Sequence, residues 1–214
     1  MVEIICLDSS YPYSYFEEVA HIHILEIHHS TLPLLGEKFL SRLYYELANS
    51  PKTGLWVAIE RGTILGFIAG CSSTRDSYLS VIRRAGIPLG LLIIPSLMKL
   101  DICKKVLTLL AYPLYSPPID ATPLRASDKT EAELLAIAIH ASAQRRGIGK
   151  MLVEAFEEGL VSWGITGNYC VATNLAEEKS NSFYQNIGFE PCYRQQHNDL
   201  ILQVYQKRIE GKLN

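Results

Sequence analysis

The 214-residue sequence has no block of like charge, no CxxC pair, no internal repeat and no uninterrupted apolar run of bilayer length. Each absence removes a class of function. Twenty Lys and Arg stand against 22 Asp and Glu, for a formal net charge of −2. Without a basic stripe there is nothing to neutralise a row of phosphates, and nucleic acid is not an expected partner. Cys6, Cys71, Cys103, Cys170 and Cys192 are odd in number and far apart, with no histidines at zinc-ligand spacing. No metal site is expected, and reduced thiols in a cytoplasmic protein are. Met1 to Asp8 lacks both the basic start and the apolar run of a signal peptide. The most apolar window, Gly86 to Met98, is broken by Pro88 and Pro95 and followed by Lys99, Asp101, Lys104 and Lys105. That falls short of the about 20 apolar residues a spanning helix needs, so membrane contact is a minority expectation.

What remains, 48% hydrophobic and 20% charged residues, suits one substantial core. A single domain over 1–214 is expected, carrying an insertion at about 74–126. Residues 3 to 7 read as a strand, and a helical region is placed around 14 to 29. Leu35, Phe39, Leu40, Leu43, Tyr44 and Leu47 form a helical stripe that stops at Asn49-Ser50-Pro51. Leu55 to Ile59 and Ile64 to Ala69 read as a hairpin turning at Gly62. The insertion is read as partly helical, with a helix from Ile94 to Leu110 and a proline-rich exit at positions 113, 117, 118 and 123. It would serve as a lid or a dimer surface. Glu131 to Ile139 alternates as a strand with Leu135, Ile137 and Ile139 on one face and Ala136 and Ala138 on the other. An amphipathic helix from Ile148 to Trp163 follows. Then come a strand (Tyr169 to Thr173), a short helix (about Lys179 to Gln185) and a closing hairpin around 189 to 195 and 200 to 206.

Between the alternating strand and the amphipathic helix lies Gln144-Arg145-Arg146-Gly147-Ile148-Gly149-Lys150. Glycine lets a backbone approach a ligand, and the free N–H groups of a first helical turn favour an anion. Two adjacent arginines strengthen the case for a pyrophosphate site, although Gly147 and Gly149 alone fit a tight turn equally well. A second segment, Ser180 to Phe189, contains Phe183-Tyr184-Gln185-Asn186-Ile187-Gly188-Phe189. The two together, in this order, resemble the Q/R-x-x-G-x-G/A and F-Y-x-x-x-G-F elements of the GNAT superfamily of acyl-CoA N-acyltransferases. The resemblance is close over residues 131 to 192 and loose over 33 to 71.

The resemblance implies an α+β fold: a mixed, mostly antiparallel sheet flanked by helices, whose parallel strands around residues 135 and 171 splay to admit acetyl-CoA. It implies that the backbone of Ile137, Ala138 and Ile139 holds the thioester and pantetheine like an added strand. Gln144, Arg145, Arg146, Gly147, Ile148, Gly149 and Lys150 would cradle the pyrophosphate. Tyr184, by periodicity alone a core aromatic, would protonate the leaving thiolate. The asparagine often found seven positions before that tyrosine is Glu177 here, while Asn174 and Asn181 lie ten and three before it. Either could touch the cofactor. The glutamate that many relatives carry on the preceding strand corresponds to Tyr169, so no carboxylate base carries over, and His140, His28 and His29 are the candidate bases. The implied activity is transfer of an acetyl group to a small-molecule or peptide amine by direct attack. The alternative is a catalytically silent acyl-CoA-binding module acting through a protein partner, and a longer acyl chain or an amino-sugar acceptor is a third reading. A homodimer is compatible with all of them.

Overall fold

Seven strands and five helices are found among residues 1–27, 32–97, 132–197 and 200–209, which the computed structural model describes. The strands are β1 (Glu3–Cys6), β2 (Thr53–Glu60), β3 (Thr63–Cys71), β4 (Glu133–Ile139), β5 (Asn168–Asn174), β6 (Glu190–His197) and β7 (Leu200–Arg208). They form one sheet in the order β1-β2-β3-β4-β5-β7-β6, antiparallel throughout except where β4 meets β5. The helices are α1 (Tyr13–Glu26), α2 (Glu37–Ala48), α3 (Thr74–Leu97), α4 (Ile148–Ser162) and α5 (Glu178–Asn186). This is the expected α+β arrangement.

Period-two alternation gives the central strands β2, β3 and β4 two packed faces. Leu55 and Val57 of β2, Phe67 and Ala69 of β3 and Ala138 of β4 lie in a core with α1, α2 and α3. Trp56, Ile68 and Leu134 face α4, whose Leu152, Phe156 and Leu160 complete a second core. The β2–β3 hairpin turns at Arg61 and Gly62, both left-handed with φ of 53° and 80°, as a two-residue type I′ turn requires. Ala136 and Ala138 do share the face opposite Ile137 and Ile139. Leu135 leaves its expected stripe. The β3–β4 register shifts there, and Leu135 is 37% exposed while Leu134 takes the buried place.

The largest departure from the sequence reading is α3. It starts at Thr74 and runs through Pro88 and Pro95, whereas the expected helix began only at Ile94. An interior proline costs a helix about 3 kcal/mol. Against that, Val81, Ala85, Leu89 and Ile93 place one buried side chain per turn in the first core. Arg84 also reaches Glu46 of α2 at 3.6 Å. Residues 98 to 110 and the four prolines beyond them lie outside the described residues, as do His28 and His29. No helix among the described residues is long and apolar enough to cross a membrane.

In the first core His23 is 1% exposed, with Nδ1 2.5 Å from the Tyr44 hydroxyl and its ring stacked on Phe67. Its Nε2 has no hydrogen-bond partner among the described residues. Burial lowers its pKa from 6.5 to about 4. The unfolded chain therefore takes up the proton first as pH falls, so the stabilisation is complete above about pH 6.5 and is lost towards pH 4. From this residue alone, unfolding free energy should be about 2 kcal/mol lower at pH 5 than at pH 7. Urea titrations at the two pH values should show this difference for the native protein. His23→Leu, which strands the Tyr44 hydroxyl, should be less stable at pH 7 and show a flatter pH dependence. Equal pH dependence in the two proteins would remove His23 as its source.

Candidate active site

β4 and β5 are parallel and share one register pair, Glu133 with Cys170, beside which the Cys170 N–H donates to the Ala132 carbonyl at 3.0 Å. Beyond it β5 continues along β7 and β4 along β3, and the two strands part. The register shift near Leu135 lies at the start of this parting, where a bulge bends and twists its strand. The His140 N–H donates to the Leu65 carbonyl at 2.8 Å. Ladder alternation then turns the peptide groups of Ala136 and Ala138 to β3, and those of Ile137 and Ile139 into the opening. The Ile139 carbonyl accepts from Gln144 Nε2 at 3.0 Å, in keeping with that direction. Of the three strand residues expected to hold a ligand, Ile137 and Ile139 face the opening with their backbone. Ala138 belongs to the ladder.

The wall beside Ile139 is the start of α4. Gly147 caps it in the left-handed region (φ 79°) and supplies no side-chain cap, leaving the first-turn N–H groups for another partner. Gly149 is required by proximity. A Cβ there would stand 2.9 Å from the Phe183 ring and 3.2 Å from Ile139 Cδ1. Gln144 is tied inward: Nε2 also donates to Glu26 Oε2 at 3.2 Å, and the Ala141 N–H donates to Glu26 Oε1 at 2.9 Å. The end of α1 is thereby joined to this loop. Arg146 is held by Glu60, with Nη2 2.8 and 3.0 Å from the two carboxylate oxygens. Arg145, at φ 61°, is exposed and makes no ion pair or hydrogen bond among the described residues. Lys150 stands 3.8 Å from Glu154 on the surface. Of the two arginines expected at a pyrophosphate, one guanidinium is already engaged.

Tyr184 lies in a run of edge-to-face rings. Trp56, Phe156, Tyr169, Phe189 and Tyr184 follow one another at 5.7, 5.5, 5.2 and 5.4 Å between centroids. Its ring is core, as periodicity suggests, while its hydroxyl has no hydrogen-bond partner among the described residues. Burial raises its pKa, so the phenol stays protonated. Tyr169 is also a core ring, and its hydroxyl donates to Glu157 at 2.6 Å. The two asparagines divide. Asn181 Nδ2 donates to the carbonyls of Asn174, Leu175 and Glu177, and Oδ1 accepts from the Tyr205 hydroxyl at 2.9 Å. Its side chain fastens α5 to the end of β5. Asn174 uses Oδ1 to accept the Ala176 N–H at 3.0 Å, and its Nδ2 makes no hydrogen bond among the described residues.

Glu133, absent from the sequence candidates, sits where the strands begin to part. Its register partner Cys71 follows Phe67 and Ala69 on the face of α1, α2 and α3, and its carboxyl is hydrogen-bonded to Thr74 at the start of α3. Burial raises its pKa above the ordinary carboxylate value, against a smaller lowering by Thr74. An acid inside an otherwise apolar strand was the available signal. What gave it meaning, the single pairing with β5, is a long-range fact. His140 lies at the other end of β4. Its Nδ1 accepts the Ser142 N–H at 3.3 Å and lies 2.8 Å from the Ser142 hydroxyl. That bond puts the neutral ring's proton on Nε2, which makes the outward nitrogen a donor.

A cavity of about 750 Å³ lies between α4 and strands β5, β6 and β7; it is lined by charges of both signs, reaches Lys150 and touches neither Tyr184 nor Ile137. Among the described residues no three His, Cys, Asp or Glu are grouped to hold a metal ion.

Residues 22–189 match the family model described as the acetyltransferase (GNAT) family. No curated protein sequence matches. Solved structures of similar fold include an aminoglycoside 6'-N-acetyltransferase complexed with coenzyme A, at 13% identity and TM-score 0.57, covering 99% of each chain. The ribosomal-protein-S18-alanine N-acetyltransferase of Escherichia coli is similar at 13% identity and TM-score 0.56, covering 100% of this chain and 99% of that one. An aminoglycoside 6'-acetyltransferase type Ii aligns at 14% identity and TM-score 0.59, over 98% and 99% of the two chains. At such identities the likeness is one of fold.

Packing at the cleft wall gives a direct test. Gly149→Ala must push Phe183 or Ile139 aside, at a cost of about 1–3 kcal/mol. Denaturant unfolding should show that loss, and a variant as stable as the native protein would mean that α4 can stand further from α5.

Proposed function

The chain belongs to the GNAT acetyltransferase family, and from that premise we propose that it transfers an acetyl group from acetyl-CoA to the amine of a small molecule or peptide by direct attack. The observation that carries this reading is the parting of β4 from β5, which turns the peptide groups of Ile137 and Ile139 into an opening bordered by the uncapped start of α4 and by Phe183, the neighbour of Tyr184 on α5. A pantetheine arm has amides that can pair with such groups as a strand would. The amides of Gly147 to Lys150, with the Arg145 guanidinium, suit a diphosphate at a helix start. Asn174 Nδ2 is a further donor for the cofactor.

In the proposed reaction the neutral amine attacks the thioester carbonyl, whose oxygen becomes an oxyanion held by a cleft-facing peptide N–H of β4, towards Ile139. The C–S bond then breaks, the Tyr184 hydroxyl gives its proton to the departing sulfur, and the proton that the attacking nitrogen sheds on becoming an amide restores the phenol. A thiol with a pKa of about 8.5 needs only modest help. Glu133 is the base for the acceptor ammonium. It stands at the closed end of the opening, and its raised pKa suits proton uptake better than an ordinary carboxylate would. His140 is assigned the role of a donor at the opposite end, because Nδ1 already accepts from Ser142. Direct attack is favoured over a thioester on the protein: burial pushes Cys71 up to about 12 and raises Cys170 as well, which leaves no thiolate beside Glu133. Glu133 also supplies the carboxylate whose apparent absence favoured a catalytically silent module.

Excess acetyl-CoA or CoA, at a hundred times its dissociation constant, should stabilise the protein by about 2.7 kcal/mol, and NADH should not. No shift with either thioester or thiol would end the cofactor assignment. Tyr184→Phe should lower turnover and leave acetyl-CoA affinity nearly unchanged; unaltered turnover at saturating acceptor removes it from the chemistry. Glu133→Gln should lower kcat by about 10²–10⁴. Because the base must be ionised, kcat/KM should fall as pH drops through a pKa above the usual carboxylate value, and Glu133→Gln should abolish that limb. A limb that persists in Glu133→Gln and disappears in His140→Asn would give the base role to His140.

A further inference from the structure

We infer that Glu60, on the β2–β3 turn, is a positioning residue for the cofactor: its carboxylate holds Arg146 so that the loop before α4 presents its amides to the diphosphate. The inference rests on the acetyl-CoA reading above and adds a residue from a distant part of the chain. Arg146 is bracketed by two left-handed residues, Arg145 at φ 61° and Gly147 at φ 79°. A non-glycine residue in that region costs about 1–2 kcal/mol, so the double reversal persists only where something outside the loop holds it. The Arg146 guanidinium provides the hold, with Nη2 lying between both oxygens of Glu60 at 2.8 and 3.0 Å. The Glu60 end is rigid in turn, since Glu60 pairs with Thr63 across a two-residue turn whose central residues are both left-handed. The neighbouring Gln144 is fixed by Glu26 and by the Ile139 carbonyl. Both flanking side chains are thus taken, and Arg145 alone of the three is left to reach the ligand.

The pair is partly exposed, at 42% for Arg146 and 28% for Glu60, so its contribution to overall stability is small. Its effect is on geometry, and this gives the inference an unusual sign. By charge alone, removing a carboxylate near a diphosphate should tighten binding and free an arginine to contact it. Positioning predicts the reverse.

The experiment compares acetyl-CoA with S-acetylpantetheine, which lacks the diphosphate, in the native protein, Glu60→Gln, Arg146→Gln and the double variant. Glu60→Gln should raise the KM for acetyl-CoA about tenfold, with kcat and the KM for S-acetylpantetheine unchanged. Arg146→Gln should match it, and the double variant should be no worse than either. A KM for acetyl-CoA that falls or stays the same in Glu60→Gln overturns the inference. So does an equal loss with both donors, which would mark a general disturbance of the fold. An Arg146→Gln defect much larger than that of Glu60→Gln overturns it too, because Arg146 would then touch the phosphates itself. A native protein that uses S-acetylpantetheine and gains nothing from the diphosphate keeps the acyl-transfer reading and removes the positioning role. One that uses neither donor removes both.

Discussion

Two parallel strands that bond at one pair and then separate impose the main constraint on this molecule. Peptide groups in a protein interior need partners, and a strand normally finds them in its neighbour. Past Glu133 and Cys170 that neighbour leaves β4, and the groups of Ile137 and Ile139 are left facing the opening. Each nearby feature bears on keeping it open and lined. The register shift at Leu135 starts the divergence, and Asn181 ties α5 to the departing end of β5 through three carbonyls. Gly149 lets α4 stand against Phe183 without closing the gap.

The aromatic run from Trp56 to Tyr184 joins this opening to the body of the protein. Edge-to-face ring pairs add about 0.5–1.5 kcal/mol each beyond their buried area. Here they also fix direction. Tyr184 packs its ring against Phe189 and Phe183, and its hydroxyl makes no hydrogen bond among the described residues. The same burial that packs the ring keeps the phenol protonated, and on the other side of the sheet burial keeps Glu133 from being an ordinary surface acid. Packing and proton chemistry have one cause.

Much of this was legible in the residues. The hairpin at Gly62, the stripe of α2, the glycines at the start of α4 and the Phe-Tyr segment of α5 are local patterns, and they stand where spacing placed them. What escaped was decided at long range. Pro88 reads as a helix breaker, yet α3 passes through it because four side chains spaced by one turn are buried in the first core beside α2. Leu135 fits its alternation perfectly well until a shift in pairing turns it out. Arg146 looks like half of a cationic pair, and only the folded chain brings Glu60 to it across 86 positions. Glu133 was passed over because no carboxylate is informative until its distance from a cleft is known. Asn181 looked equivalent to Asn174, and its side-chain partners distinguish the two.

The single pair between β4 and β5 also has a mechanical meaning. It creases the sheet into a four-stranded part, β1 to β4, and a three-stranded part, β5 to β7, each laced by antiparallel ladders. Along the crease few backbone bonds resist separation, so the lowest-energy local opening should run there and spare both ladders. A molecule bound across it would act as a hinge pin, slowing exchange of the amide at the crease, that of Cys170, and leaving those of the two ladders as they were.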